Sequence, residues 1–145
     1  MASFTVTTNS AEVNKRMKKR VEVTEKQILR LLQRSVDRVE STVIVGLHGG
    51  PKSGATYTRR SVTHQASAAG QYPATDTGFL ASNISSSLDK KRKIGRVTSS
   101  ANYSKHLEYG TKDMAARPFM QPSLEKNRRK IFNLFKNAGL LSRTT

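Results

Sequence analysis

The longest regular pattern in the sequence is an apolar repeat at helical spacing between Ser10 and Thr42. Apolar side chains recur there on one helix face with charged residues between them, as in an amphipathic helix that buries one side. Ser10 can accept a hydrogen bond from a free amide of the first turn, so we expect it to be the N-cap. The pattern predicts one long helix, with these apolar positions: Val13, Met17, Val21, Ile28, Leu31, Leu32, Val36 and Val39.

A change of pattern follows this helix. The segment from Thr42 to Leu47 is β-branched and apolar and stops at two glycines, which predicts a buried strand entering a loop. From Gly46 to Gly78 the chain is rich in Gly, Ser, Thr, Ala and Pro, although Tyr57 to Ser67 can form an extended ribbon or hairpin. We therefore expect an extended arm over residues 48–77, whose backbone needs hydrogen-bonding partners.

The second half of the chain is predicted to contain short elements and one longer helix. A short helix is expected to carry Phe79, Leu80, Ile84 and Leu88, with Asp76 or Thr77 as its cap. A strand is expected from Lys93 to Ala101. A helical turn from Tyr103 to Tyr109 is closed by Gly110, and a last helix extends from near Pro122 to Gly139.

The order of these elements predicts the fold class. With 145 residues, of which 35% are apolar, we expect one small α+β domain over residues 1–145 with a modest core. The long N-terminal helix and the C-terminal helix would pack on a short antiparallel sheet, with an extended loop or hairpin arm beside it.

Charge limits the class of partner. The formal net charge is +16, from 26 Lys and Arg against 10 Asp and Glu, which favours attraction to polyanions. The basic residues form three blocks, Lys15 to Arg20, Lys90 to Arg96 and Lys126 to Lys130, as a charged face on a folded body would. Such blocks are often only solvated helix faces, but a solvated surface usually mixes both signs. No zinc finger or clear helix-turn-helix is present, so a DNA partner would be recognised by its charge.

The residues give no support to catalysis or to a metal or other cofactor. His48, His64 and His106 are far apart in sequence, and there is no cysteine. The carboxylates Asp76, Asp89, Glu108 and Asp113 are scattered, and no nucleophile motif accompanies them. Asp76 is better explained as a helix cap and Glu108 as a partner of Lys or Arg. We therefore expect a protein that is not an enzyme.

The sequence contains neither a phosphate-binding loop nor a membrane-targeting segment. Gly46 to Ser53 has glycines and a Lys-Ser pair like a phosphate-binding loop, but Pro51 stands where the motif needs its second glycine, so a turn is the better interpretation. No apolar run reaches the length that spans a membrane, and the polar segment from Met1 to Ser10 does not resemble a signal peptide. We expect the protein to be made in a cytosol without membrane attachment.

Two stretches in mid-chain are more informative than composition. The first runs from Tyr57-Thr-Arg59 through His64-Gln-Ala-Ser67 to Pro73-Ala-Thr-Asp-Thr-Gly78. The second contains Leu107-Glu-Tyr-Gly-Thr111 and Met114-Ala-Ala-Arg-Pro-Phe119 and ends at Pro122. In this order they resemble the small tailed-bacteriophage proteins known as tail-completion, head-to-tail joining (neck) or minor tail proteins. The resemblance covers the chain from Gly54 to Leu124, about half of its length.

The resemblance implies a structural protein of the virion. Such proteins assemble as a ring at the head–tail junction, with hexamers or dodecamers expected, and they are not enzymes. The implied partners are other copies of the chain, the portal adaptor, the tail terminator or tail tube proteins and, through its phosphates, the phage DNA that the ring surrounds. The protein would be made in the cytoplasm of the host bacterium.

The resemblance also nominates site residues. Those expected at a subunit or partner interface are Tyr57, Arg59, His64, Gln65, Pro73, Asp76, Glu108, Tyr109, Arg117 and Phe119. Those nominated for contact with the DNA backbone are Lys90, Lys91, Arg92, Lys93 and Arg96, because a charged turn that leads into a strand can project freely. An equally open interpretation of Tyr109 and Phe119 is that they hold the domain together, as apolar anchors around a left-handed turn at Gly110.

Other functions remain open at this level. Within the same class the chain could be a tail terminator, a portal adaptor or a minor capsid component. From charge alone it could be a basic module, monomeric or dimeric, that binds nucleic acid without sequence preference.

Overall fold

A computed structural model describes residues 10–50 and 52–140. Its longest element is helix α1, which has 39 residues and runs from Ser10 to His48. The predicted long helix is confirmed. Ser10, which is expected to be its N-cap, is the first helical residue that the structure describes. Gly49 and Gly50 follow its end, and the Gly49 amide still donates a hydrogen bond of 2.8 Å to the Val45 carbonyl.

The segment from Thr42 to Leu47 belongs to α1, so the predicted buried strand is wrong. Val43 and Leu47 lie one turn apart with 0% and 1% of their surface exposed, and they continue the apolar face of the helix. Thr42 Oγ1 donates a 2.9 Å hydrogen bond to the Arg38 carbonyl, as hydroxyls inside helices commonly do. Burial of this face outweighs the weak strand preference of β-branched residues.

The arm contains a two-stranded hairpin, which confirms the ribbon expected over residues 57–67. Strand β1 (Thr56–Arg59) pairs antiparallel with β2 (Val62–Gln65), and Tyr57 lies opposite His64. Arg60 and Ser61 form the turn with φ of 48° and 64°. Two consecutive positive φ values are typical of the type I′ turn that joins tightly twisted strands.

A second hairpin replaces most of the short helix predicted over residues 79–88. Only Phe79–Ser82 is helical (α2), and Ile84–Asp89 is a strand (β3) that pairs antiparallel with β4 (Ile94–Ser99). The serines at positions 85 to 87 disfavour a helix, and alternate side chains of β3 turn inward as the pleat requires. Strand β4 confirms the strand expected within residues 93–101.

The cap predicted for α2 is also different. Gly78 occupies the N-cap position with φ of 77° and no side-chain cap bond, while the Phe79 amide makes a long hydrogen bond of 3.4 Å to Thr77 Oγ1. Asp76 does not cap the helix, because its carboxylate is used by the β1–β2 hairpin.

Two helices complete the domain close to where they are predicted. Helix α3 (Ser104–Tyr109) ends at Gly110, whose φ is 77°, and α4 (Met120–Asn137) ends before Gly139, whose φ is 71°. Pro122 lies in the first turn of α4, where the missing amide costs nothing.

The core lies where α1 meets the β3–β4 hairpin, α2 and the start of α4. A Cβ at Gly95 would overlap the Val36 side chain, so β4 approaches α1 as closely as a glycine allows. The described residues therefore form a small α+β domain of the predicted class, with this buried apolar set: Leu31, Val36, Val39, Val43, Leu47, Leu80, Ala81, Ile84, Ala101 and Phe119.

Phe119 is the largest side chain of the fully buried set, and its truncation tests the core. We expect Phe119→Ala to lower the free energy of unfolding by about 3–5 kcal/mol, because it removes buried contacts and leaves a cavity. Phe132→Ala is the matched control, since Phe132 lies on α4 with 54% of its surface exposed, and it should cost less than about 1 kcal/mol. Urea unfolding of both variants measures the difference, and equal losses would contradict the assignment of Phe119 to the core.

Candidate functional site

Four of the residues nominated for an interface come together on the β1–β2 hairpin. Arg59 Nη1 lies 2.7 Å from Asp76 Oδ2, and His64 Nε2 lies 3.3 Å from Asp76 Oδ1. The Tyr57 ring stacks on His64 with ring centres 5.6 Å apart. This cluster joins the hairpin to the segment that precedes α2, so these side chains contact one another within one subunit.

The rest of the arm is also bonded within the chain. The Gly54 amide donates to the Ala66 carbonyl at 2.8 Å, and the Gly70 amide donates to the Ala116 carbonyl at 2.9 Å. These backbone groups have their partners within the chain, so they need none on a neighbouring subunit. Of the remaining nominated arm residues, Gln65 is exposed and Pro73 is buried.

Lys52 fastens the arm to the end of α1. Its ammonium group donates to three backbone carbonyls, those of Tyr72 at 2.9 Å, Pro73 at 3.2 Å and Gly46 at 3.5 Å. Desolvation lowers the pKa of Lys52, because partial burial penalises the charged form. Sequence reasoning missed this role, since nothing in the pattern distinguishes a lysine that binds carbonyl groups from a solvated one.

Glu108 forms the N-terminal cap of α4. Its Oε2 accepts hydrogen bonds from the amides of Phe119 at 2.8 Å and Met120 at 3.0 Å, and its Oε1 accepts one from Gln121 at 2.9 Å. A carboxylate is favoured there because the first amides of a helix have no helical partner and carry partial positive charge. The prediction that Glu108 pairs with a Lys or Arg is therefore wrong, and the missing local cap at position 119 is the signal that could have located it.

The segment between α3 and α4 is held against the arm. Arg117 Nε donates to the Ser67 carbonyl at 3.0 Å, and the Arg117 amide donates to the Leu107 carbonyl at 2.7 Å. Gly110 combines its positive φ with a tight fit, because a Cβ there would lie 2.8 Å from the Met114 carbonyl oxygen. The two stretches that carry the phage resemblance thus contact each other in the fold.

Tyr109 and Phe119 have opposite surroundings. Phe119 is fully buried, so its side chain has no surface to offer to a partner, and its nomination for an interface is corrected on that ground. Tyr109 has 80% of its surface exposed at the end of α3. Of this pair, only Tyr109 is positioned to contact a neighbour.

Tyr109 borders an open apolar groove of about 730 Å³. The groove lies between the second half of α1, strand β4 and helices α3 and α4. Leu124 stands at its edge with 51% of its surface exposed, although it belongs to the apolar repeat of α4. The aliphatic side chains that line the groove are those of Leu32, Val36, Val39, Val97, Leu124 and Ile131.

The first half of α1 carries an exposed apolar face, which complements the apolar groove. Residues 10–23 are all exposed, and Val13, Met17 and Val21 lie one turn apart with 54%, 60% and 61% of their surface exposed. These three side chains continue the apolar face that is buried from Leu31 onward. Within the described chain nothing covers them, and we call residues 10–27 the overhang.

The nominated basic turn lies between β3 and β4. Lys93 pairs with Glu25 of α1 at 2.9 Å, and Arg92 lies 4.0 Å from Asp89. Lys90, Lys91 and Arg96 are exposed and make no ion pair with any residue that the structure describes. The turn is thus partly neutralised by carboxylates.

A second basic surface was missed by the sequence analysis. Arg30, Arg34 and Arg38 are exposed and recur every fourth residue of α1, which places them on one face. They do not form a run of adjacent charges, so they belong to none of the three basic blocks. Their helical spacing is the signal that could have identified them.

Comparison with known proteins assigns this chain to no family. No known protein family, curated protein or solved structure matches this sequence. Among residues 10–50 and 52–140, no group of three His, Asp or Glu side chains is arranged to hold a metal ion. None of the described helices combines the length and apolarity needed to cross a bilayer.

The Glu108 cap is tested by substitution. We expect Glu108→Ala to lower the free energy of unfolding by about 2–3 kcal/mol, because three amides lose a charged acceptor. Glu108→Gln keeps an acceptor without the charge and should cost less. Glu125→Ala is the control on the same helix, since Glu125 makes only an exposed ion pair of 3.7 Å with Arg128 and should cost less than about 0.5 kcal/mol. Comparable losses at positions 108 and 125 in chemical denaturation would exclude the capping role.

Proposed function

We propose that this protein is a structural subunit of a tailed-bacteriophage virion. It forms an oligomeric ring at the head–tail junction, where it joins the portal adaptor to the tail and surrounds the DNA path. The observation that carries the proposal is the pairing of an uncovered apolar helix face with an unfilled apolar groove in the same chain. The resemblance of the two mid-chain stretches to tail-completion and neck proteins supplies the biological setting.

The two surfaces fit a contact between copies. The overhang is about 27 Å long at 1.5 Å per residue, which is long enough to reach across a neighbouring subunit of this size. Its apolar face and the groove are different surfaces of one molecule, so their contact is head-to-tail. Head-to-tail contacts close into rings when the rotation between copies permits it. The occupant of the groove is therefore the overhang of the next copy.

The overhang is tested by two valines that differ only in the face they occupy. Val21→Asp puts a charge on the apolar face and should abolish self-association, because burying an unpaired carboxylate is costly. Val23→Asp is the matched control, since Val23 is 57% exposed against 61% for Val21 but lies off the apolar face, and it should keep the wild-type mass. Light scattering after gel filtration gives both masses.

The head-to-tail direction of the contact between copies is tested by mixing two variants. Leu124→Asp damages the groove and keeps the overhang intact, whereas Val21→Asp does the reverse, so each alone should be monomeric. Their mixture should form a heterodimer and no ring, because one intact overhang meets one intact groove. A mixture that stays monomeric would reject the helix-in-groove contact.

The virion role is tested separately on particles. A label fused after Thr145 should appear at the neck in electron micrographs of intact particles. Absence of the protein from purified virions would reject the proposed function. Together with a monomeric wild-type protein, that result would favour a basic module that binds nucleic acid without assembling.

A further inference from the structure

The second surface between α1 and α4 is a basic groove of about 570 Å³. Two cationic side chains of α1, Arg34 and Arg38, line one wall, and two of α4, Lys126 and Lys130, line the other. Each pair is spaced four residues apart, so both members point to the same side of their helix. We define these four residues as the basic groove.

The charge of the basic groove is unbalanced. All four side chains are exposed, and none of them makes an ion pair with any residue in the described part of the chain. The one carboxylate that lines the groove is Asp37, which accepts a 2.7 Å hydrogen bond from Gln33 Nε2. Four cations and one carboxylate thus line the same groove, and an anion that binds between the cations reduces their mutual repulsion.

The floor of the groove fixes the two helices relative to each other. Asn127 is 3% exposed, and its Nδ2 donates to Thr42 Oγ1 on α1 and to the Ser123 carbonyl on α4, both at 2.8 Å. The Lys126 ammonium lies 5.0 Å from the centre of the Tyr72 ring, a cation–π contact that limits its position. The cations therefore stand on a rigid base, which lowers the entropy lost when a ligand binds.

We propose that the basic groove binds the phosphate backbone of duplex DNA. Arginine and lysine on two walls can contact phosphates on both sides of the groove, and guanidinium groups suit phosphate oxygens geometrically. No aromatic side chain is among the residues that line the groove, so it lacks the stacking surface by which proteins hold single strands. The choice of DNA as natural ligand rests on the proposed function, whereas the groove and its charge do not.

The position of this site differs from the turn nominated on sequence. Lys93 and Arg92 of that turn lie near carboxylates, whereas the four groove cations form no ion pair with any described residue. The groove also lies on the side of α1 opposite the apolar groove, because residues 34, 38 and 41 are about half a turn from residues 32, 36 and 39. One face of α1 can therefore contact DNA while the other contacts a neighbouring subunit.

The test compares two variants with the same loss of charge. Gln replaces Arg34, Arg38, Lys126 and Lys130 in the groove variant, and Lys90, Lys91, Arg92 and Arg96 in the turn variant. Binding of a fluorescent duplex of arbitrary sequence is measured by anisotropy between about 50 and 200 mM NaCl, since each phosphate contact contributes about 0.9 to the slope of log Kobs against log salt. Circular dichroism and mass confirm that both variants fold and associate as the wild type does.

We expect the groove variant to lower the slope by about 3–4 and the turn variant by less than about 1. Replacing only Arg34 and Arg38 by Gln leaves α4 unchanged and should lower the slope by about 2, so it tests the groove even if the fourfold variant does not fold. Equal losses in both variants, a larger loss in the turn variant, or no binding by the wild type at low salt would each overturn the assignment. Binding of polyglutamate through the groove without binding of duplex DNA would also overturn it, in favour of an acidic protein partner.

The two proposals fail separately. A ring found at the neck whose DNA binding ignores the groove overturns only this site. A monomer that is absent from virions but binds duplex DNA through the groove overturns only the proposed function.

Discussion

The fold is organised by one apolar face of α1 that extends beyond the part covered by the other described elements. The face runs along the helix from Val13 to Leu47, but burial begins only near Ile28. The described elements that pack on α1 are the β3–β4 hairpin, α2 and α4, and they cover the second half of the helix. Full burial of a Val or Met side chain is worth about 1.5–3 kcal/mol, so the uncovered half is a strong driving force for association.

Side chains bonded to backbone groups hold the irregular segments together. Lys52 donates to three carbonyls, Glu108 accepts from three amides, and Arg117 bonds the Ser67 carbonyl. In a domain whose two sheets have two strands each, these charged groups satisfy backbone atoms that no ladder reaches. For Glu108, Arg117 and Phe119, the interpretation that they hold the domain together therefore has a direct structural explanation.

The helix pair of α1 and α4 separates two kinds of surface. One side is apolar and the other carries four cations without ion pairs in the described chain. Subunits with a formal charge of +16 repel one another. At physiological salt this repulsion is screened at separations beyond about 8 Å, but not between charges that lie closer together. Phosphates bound on the basic side would reduce that repulsion, so DNA binding and ring assembly support each other in the proposed function.

Local pattern was enough to predict the first part of α1, the β1–β2 hairpin, β4, α3, α4 and the α+β class, because helix periodicity, turn residues and terminal glycines act over a few residues. It failed at residues 42–47 and 84–88, where burial against distant elements decides between helix and strand. The chemistry of Asp76, Glu108 and Lys52 was likewise decided by tertiary structure, since all of the partners named for them except Gly46 lie 11 to 21 residues away in sequence. The sequence by itself determined which side chains are apolar or charged and how they repeat. Only the tertiary structure decided which of the described side chains have a partner within the chain, because that depends on which distant elements pack against them.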